Sequence, residues 1–136
     1  MLYSSYGILH YDERRQENGH RKLIVSADQE LSRYYRSLVP NYIRLNQQRY
    51  PAHISVIRNE TPPLMEHWNK YQGQEIEFQY EPYVYNGTIY YWLNIFSNKL
   101  ESIRSELGLE VSSPYTRPPN GYEKCFHMTL GNTKTI

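Results

Sequence analysis

Cysteine is nearly absent: Cys125 is the only one among 136 residues. An internal disulfide is therefore impossible, and a cysteine-rich metal cluster is excluded. Long apolar runs are missing as well, since none approaches the ~18 residues that a transmembrane helix needs. The opening Met1-Leu2-Tyr3-Ser4-Ser5-Tyr6 lacks the basic start and apolar stretch of a secretory signal. Together with the missing disulfides this leads to the expectation of a cytoplasmic protein with no membrane partner. Net charge is lacking too: 15 Lys and Arg against 14 Asp and Glu leave +1. Such a balance gives no electrostatic grip on long nucleic acid. Tyrosine, by contrast, is abundant at 15 residues. Tyrosines serve either as half-buried strand residues or as stacking surfaces for bases. With 39% hydrophobic and 21% charged residues, a packed core is feasible and one domain over residues 1–136 is expected.

The patterning predicts a strand at Gly7–Tyr11, a turn at Asn18-Gly19 and a second strand at Leu23–Val25. Ser26-Ala27-Asp28-Gln29 has the form of a capping box. Leu31, Tyr34, Tyr35 and Leu38 follow it at helical spacing and point to an amphipathic helix that ends by Pro40. A strand is expected over 52–58, and Thr61-Pro62-Pro63 reads as the start of a short helix through Trp68. Glu75–Tyr80 alternates polar and apolar. Tyr83–Tyr85 and Thr88–Phe96 flank Asn86-Gly87, which predicts a hairpin with a type I′ turn. Ser97 caps a second helix with Leu100, Ile103 and Leu107 inward and Gly108 at its end. A proline- and serine-rich loop, Val111 to Tyr122, leads to a last strand over 124–130. The order of capped helix, connection and histidine-bearing strand occurs twice, which suggests two similar lobes facing each other.

Both histidine strands carry the same constellation: His53-Ile54-Ser55 and His127-Met128-Thr129. Residues i and i+2 of a strand share a face. Each strand therefore offers an imidazole beside a hydroxyl, with Ile54 or Met128 on the opposite side. Two such pairs across a cleft suit phosphodiester cleavage. One neutral imidazole takes a proton from the attacking hydroxyl or water, and the other, protonated, supplies the leaving oxygen. The hydroxyls donate to the non-bridging oxygens where charge grows. This chemistry requires neither a metal nor another cofactor, and none is expected.

At these residues the chain resembles the 2H phosphoesterase superfamily, whose hallmark is two His-x-Thr/Ser motifs, each in a strand. The resemblance covers the order of elements along nearly the whole chain, and identity is confined to the motifs. It implies an α+β fold of two lobes, two antiparallel sheets with flanking helices related by a pseudo-twofold axis. It also implies His53 and His127 as the acid–base pair and Ser55 and Thr129 as phosphate ligands. Family members act on 2′,3′-cyclic phosphates, 2′-5′ linkages and oligonucleotide ends. Some viral members, phage enzymes among them, destroy cyclic oligonucleotide signals of host immunity and would work in the host cytoplasm. Two departures stand out. The first motif has Ser55 where threonine is usual, and seven residues follow Thr129 where many relatives continue further.

Other residues carry paired readings. Strict alternation turns Arg58 away from His53; a bulge would redirect it to a phosphate, and otherwise it is a solvated strand end. Lys134 is either a ligand contact or a solvated residue. Tyr11 is a candidate cleft residue whose default is packing, and neighbouring His10 shares the question. Tyr115, Arg117 and Tyr122 of the long loop suit a base and its phosphate, or belong to a plain connection. Of the hairpin aromatics Tyr83, Tyr85, Tyr90, Tyr91 and Trp92, most should pack across strands while one or two form a stacking wall. His20 and His67 lack companions, and nothing in the sequence activates Cys125 as a nucleophile. The expected function is a metal-independent 2H-type phosphodiesterase acting on a small nucleotide or cyclic oligonucleotide, such as a host defence signal. The alternatives are an RNA-processing 2′,3′-cyclic or 2′-5′ phosphodiesterase, a non-catalytic nucleotide-binding module, or a protein that meets a partner through exposed tyrosines.

Overall fold

The computed structural model describes residues 1–13, 18–48, 50–111 and 125–134. The elements in chain order are β1 (Tyr3–Tyr11), β2 (Arg21–Ala27), α1 (Gln29–Ser37), β3 (Asn46–Gln47), β4 (His53–Glu60), β5 (Glu75–Tyr80), β6 (Tyr85–Asn86), β7 (Tyr90–Phe96), α2 (Asn98–Glu106) and β8 (Phe126–Asn132). All pairings are antiparallel. β1 lies between β2 and β5, β2 pairs with β4, and β5 pairs with β7. β8 bonds to β4 and also to β7. That double pairing closes β1, β2, β4, β8, β7 and β5 into a six-stranded barrel, with β3 added to β8 and β6 to β7.

The expected bilobal α+β fold with two sheets about a pseudo-twofold axis is therefore overturned. β8 is hydrogen-bonded to strands from both halves of the chain, so one closed sheet replaces two. Helix is confined, among the described residues, to two segments of nine residues each.

Alternation builds the strands. In β5, Ile76, Phe78 and Tyr80 are buried while Glu75, Glu77 and Gln79 are exposed. One contiguous core joins the apolar faces of the strands to Tyr35 of α1, to Leu100 and Ile103 of α2, and to Leu107 at its C-cap. α2 follows the sequence closely: the Ser97 hydroxyl accepts from the Leu100 amide, and Gly108 ends the helix at φ +81°. α1 departs from it. Ser26 pairs with Ile8 on one side and His53 on the other, so it stays in β2 and no capping box forms. The cap moves to Asp28, whose carboxylate accepts from the Glu30 amide. Freed from that role, Gln29 donates to the carbonyls of Ala27 and Ala52 and accepts from the Ala52 amide, tying α1 to the start of β4. Of the inward set foreseen for α1, Tyr35 is buried and Leu31 packs on the core, while Tyr34 and Leu38 are exposed.

Two further expectations fail. Residues 61–68 form no helix; prolines at 62 and 63 disfavour helical geometry before them, and the Leu64 amide donates instead to the Leu107 carbonyl. The hairpin turn is not Asn86-Gly87, because Asn86 pairs with Tyr91 and the Gly87 amide donates to the Tyr90 carbonyl. The reversal falls on Thr88-Ile89, where Thr133 binds the Ile89 carbonyl through its amide and hydroxyl. Among the described residues no helix is long and apolar enough to cross a membrane.

Candidate functional site

The register of β4 and β8 decides the geometry. Ile54 stands opposite Met128, and both are wholly buried. Counting outward along antiparallel strands puts His53 across from Thr129 and Ser55 across from His127. All four side chains thus share the face away from the core, as a two-by-two square of imidazoles and hydroxyls. Directly opposed Cβ atoms lie about 4.5–5.5 Å apart. The four are half-buried and line one cavity of about 830 Å³. That volume falls in the ~300–1,000 Å³ range of small-molecule sites.

The two imidazoles are held differently. His53 Nδ1 lies 2.9 Å from the Pro51 carbonyl oxygen. A carbonyl only accepts, so Nδ1 carries the proton and Nε2 of the neutral ring is an acceptor. The His127 ring instead stacks on Trp92, with centroids 4.9 Å apart and planes 24° from parallel. Trp92 faces Thr129 from β7. Its indole N–H donates to Asn94 Oδ1 (3.0 Å), Asn94 Nδ2 donates to Glu81 Oε1 (3.3 Å), and the Tyr85 hydroxyl donates to Glu81 Oε2 (3.1 Å). A polar chain behind the wall therefore fixes the surface on which His127 rests.

Three cations line the same cavity: Lys22, Arg58 and Lys134. No carboxylate is among its described lining residues. Lys22 Nζ sits 5.4 Å from the Tyr50 ring centre and Lys134 Nζ 5.0 Å from that of Tyr90, both at cation–π range. Arg58 reaches the cavity because β4 is bulged. Ser55 faces Ile24 and Ile57 faces Leu23, so β4 holds one more residue than β2 there. Val56 and Ile57 are both buried, the alternation changes phase, and Arg58 emerges on the His53 face. Arg104 of α2 stabilises this irregularity. It is wholly buried, donates to the Val56 carbonyl (2.7 Å), and forms a two-pronged pair with Glu60 at 2.8 Å on each prong.

The structure thus brings together His53, Ser55, Arg58, His127, Thr129 and Lys134. Tyr11 is not among them. It is 5% exposed, meets Trp68 edge-on at 4.9 Å, and burial pushes its phenol up to about 12. Cys125 is buried too; burial, and secondarily the charge of Glu81, push its thiol up to about 11, so it stays protonated near neutrality. Tyr115, Arg117 and Tyr122 lie outside the described residues. Lys22, Gln48, Tyr50, Asn59 and Asn132 join the cavity without having been foreseen. For Lys22 a signal existed, since it shares a strand face with Ile24 and Ser26, but it becomes useful only once β2 is known to pair with β4. Tyr90 and Trp92 turn out to be the hairpin aromatics that form a wall. Neither a protein-family model, nor a curated protein, nor a solved structure matches this chain.

Proposed function

We propose that the chain is a phosphodiesterase that cleaves a small nucleotide or cyclic oligonucleotide by paired histidine acid–base catalysis, as the two 2H-like motifs imply. The observation that carries this reading is the square of His53, Ser55, His127 and Thr129 in one cavity ringed by Lys22, Arg58 and Lys134. Its support is the site and not the bilobal architecture of that superfamily. A phosphate seated over the square meets hydroxyl donors and cations and, among the described lining, no repelling carboxylate.

His53 is assigned the base. Its Nδ1 proton is committed to Pro51, which leaves Nε2 to take the proton of the attacking hydroxyl or water. As the new P–O bond forms, charge grows on the non-bridging oxygens, where Ser55, Thr129 and the cations act. The opposite P–O bond breaks, and His127 protonates the leaving oxygen. With His53 assigned the base, the acid role falls to His127, whose ring is held in place by stacking on Trp92. Tyr90 and Trp92 offer aromatic surface for a base. The particular case of a host defence signal remains the most concrete substrate of this class.

The test is a screen of cyclic di- and trinucleotides, 2′-5′ oligomers and 2′,3′-cyclic mononucleotides with EDTA present, read by mass spectrometry. Cleavage is expected, and His53→Ala or His127→Ala should each cut turnover by about 10²–10⁴-fold while the fold persists. Turnover undiminished in either variant, or tight binding without product, would sink the assignment.

A further inference from the structure

A second, smaller cavity of about 320 Å³ opens beside the first, between α1 and β8. The two share Gln48, Tyr50 and Thr129, so Thr129 stands at the boundary with a wall on each side. On α1 the smaller cavity is lined by Ser32, Arg33 and Arg36, and no carboxylate is among its described lining residues. Arg36 Nε has no exposed surface and no hydrogen-bond partner among the described residues. Its place in the last turn of α1 accounts for a positive charge there, through the helix dipole. Among the described residues Arg33 pairs with Glu30 on the solvent side, where both side chains are about 70% exposed. Such a surface pair is weak and exchanges readily for a better anion.

We infer that this cavity is a second phosphate subsite, so that the substrate carries at least two phosphates. One lies over the histidine square and its neighbour lies against Arg33, Arg36 and Ser32. This rests on the phosphodiesterase reading for the first phosphate and adds the substrate class: a phosphorylated dinucleotide or short oligonucleotide, not a lone cyclic mononucleotide. The Thr129 boundary carries the link, because a chain that leaves the square past this residue enters the smaller cavity directly. A phosphate in that cavity meets the side chains of Arg33 and Arg36 and the Ser32 hydroxyl, through charge-assisted bonds of the stronger kind.

Calorimetric titration of the full chain with adenosine 3′,5′-bisphosphate, adenosine 3′-monophosphate and adenosine 5′-monophosphate tests this. The bisphosphate should bind at least about tenfold more tightly than either monophosphate. Arg36→Gln should reduce that preference to within about twofold. Arg33→Gln, at an exposed position that does not endanger folding, should reduce it in the same direction. Equal affinity for all three nucleotides, or a preference that survives in both variants, would overturn the subsite. The catalytic reading is separated by His53→Ala: the bisphosphate preference should survive there while turnover is lost. Retained turnover in that variant refutes the catalytic reading and leaves the subsite result standing.

Discussion

Replacing Arg104 with methionine removes a buried cation from three acceptors at once. Arg104 binds both oxygens of Glu60 at 2.8 Å, the Val56 carbonyl at 2.7 Å and the Glu110 carbonyl at 2.7 Å. The Glu60 side chain is only 10% exposed, so its carboxylate would be left without its compensating charge. Breaking a buried pair from one side costs about 3–5 kcal/mol. That is a large share of a total folding free energy of roughly 5–15 kcal/mol. For a chain of this size the melting temperature should fall by roughly 10–20 °C. Adding Glu60→Leu removes the orphaned charge and leaves chiefly the Val56 carbonyl unsatisfied, at about 1–3 kcal/mol. The double variant should therefore be more stable than Arg104→Met alone. Urea titrations of wild type, both single variants and the double variant measure this coupling. A single-variant cost under about 1 kcal/mol, or costs that simply add in the double variant, would refute the argument. The double variant carries a second signature. With the bulge no longer held, Arg58 loses its aim, and binding of inorganic phosphate should weaken several-fold.

Three other expectations are independent of that pair. Trp92→Ala should lower kcat about tenfold or more by freeing the His127 ring, whereas Trp92→Phe should retain most of it, as steady-state kinetics will tell. Gly131→Ala should destabilise by about 1–3 kcal/mol in thermal melts, because a Cβ there would lie 2.5 Å from the Asn46 carbonyl oxygen and force β3 off β8. The Glu106 carboxyl is held below its ordinary value by hydrogen bonds from the Tyr71 hydroxyl, and further by Lys70. An unfolded chain then binds that proton more readily than the folded one. This contribution to stability is present above the ordinary glutamate value and fades as pH falls through the lower, folded value. Tyr71→Phe should flatten the acid side of a stability-versus-pH curve, and an unchanged curve would refute the coupling.

Much of the site was legible because strand parity is local. His53 with Ser55, and His127 with Thr129, share a face whatever the rest of the chain does. Their meeting across β4 and β8 depends on pairing between residues more than seventy positions apart, which no local pattern carries. Arg58 shows the same limit at one residue. Alternation sends it away from His53, and only the bulge, supported by an arginine from α2, brings it back. Local signals also lost to tertiary pairing elsewhere. Ser26 is a good cap by type, but two neighbouring strands hold it in the ladder. Asn86-Gly87 is a good turn by type, but Thr133 draws the reversal on to Thr88-Ile89. α2 was legible from end to end because its cap, apolar face and terminal glycine agree with one another.

The closing role of β8 has a consequence for how the chain reaches this state. β8 follows every other described strand in chain order, yet it satisfies an edge of β4 and an edge of β7. Until it arrives, both edges are bare rows of amides and carbonyls, of the kind that recruit foreign strands. Pairing over such long sequence distances is slow. The interval before closure is therefore when this chain is most exposed to aggregation, during synthesis or on refolding from denaturant. The same strand supplies His127 and Thr129, so the proposed site is assembled only when those two edges are covered.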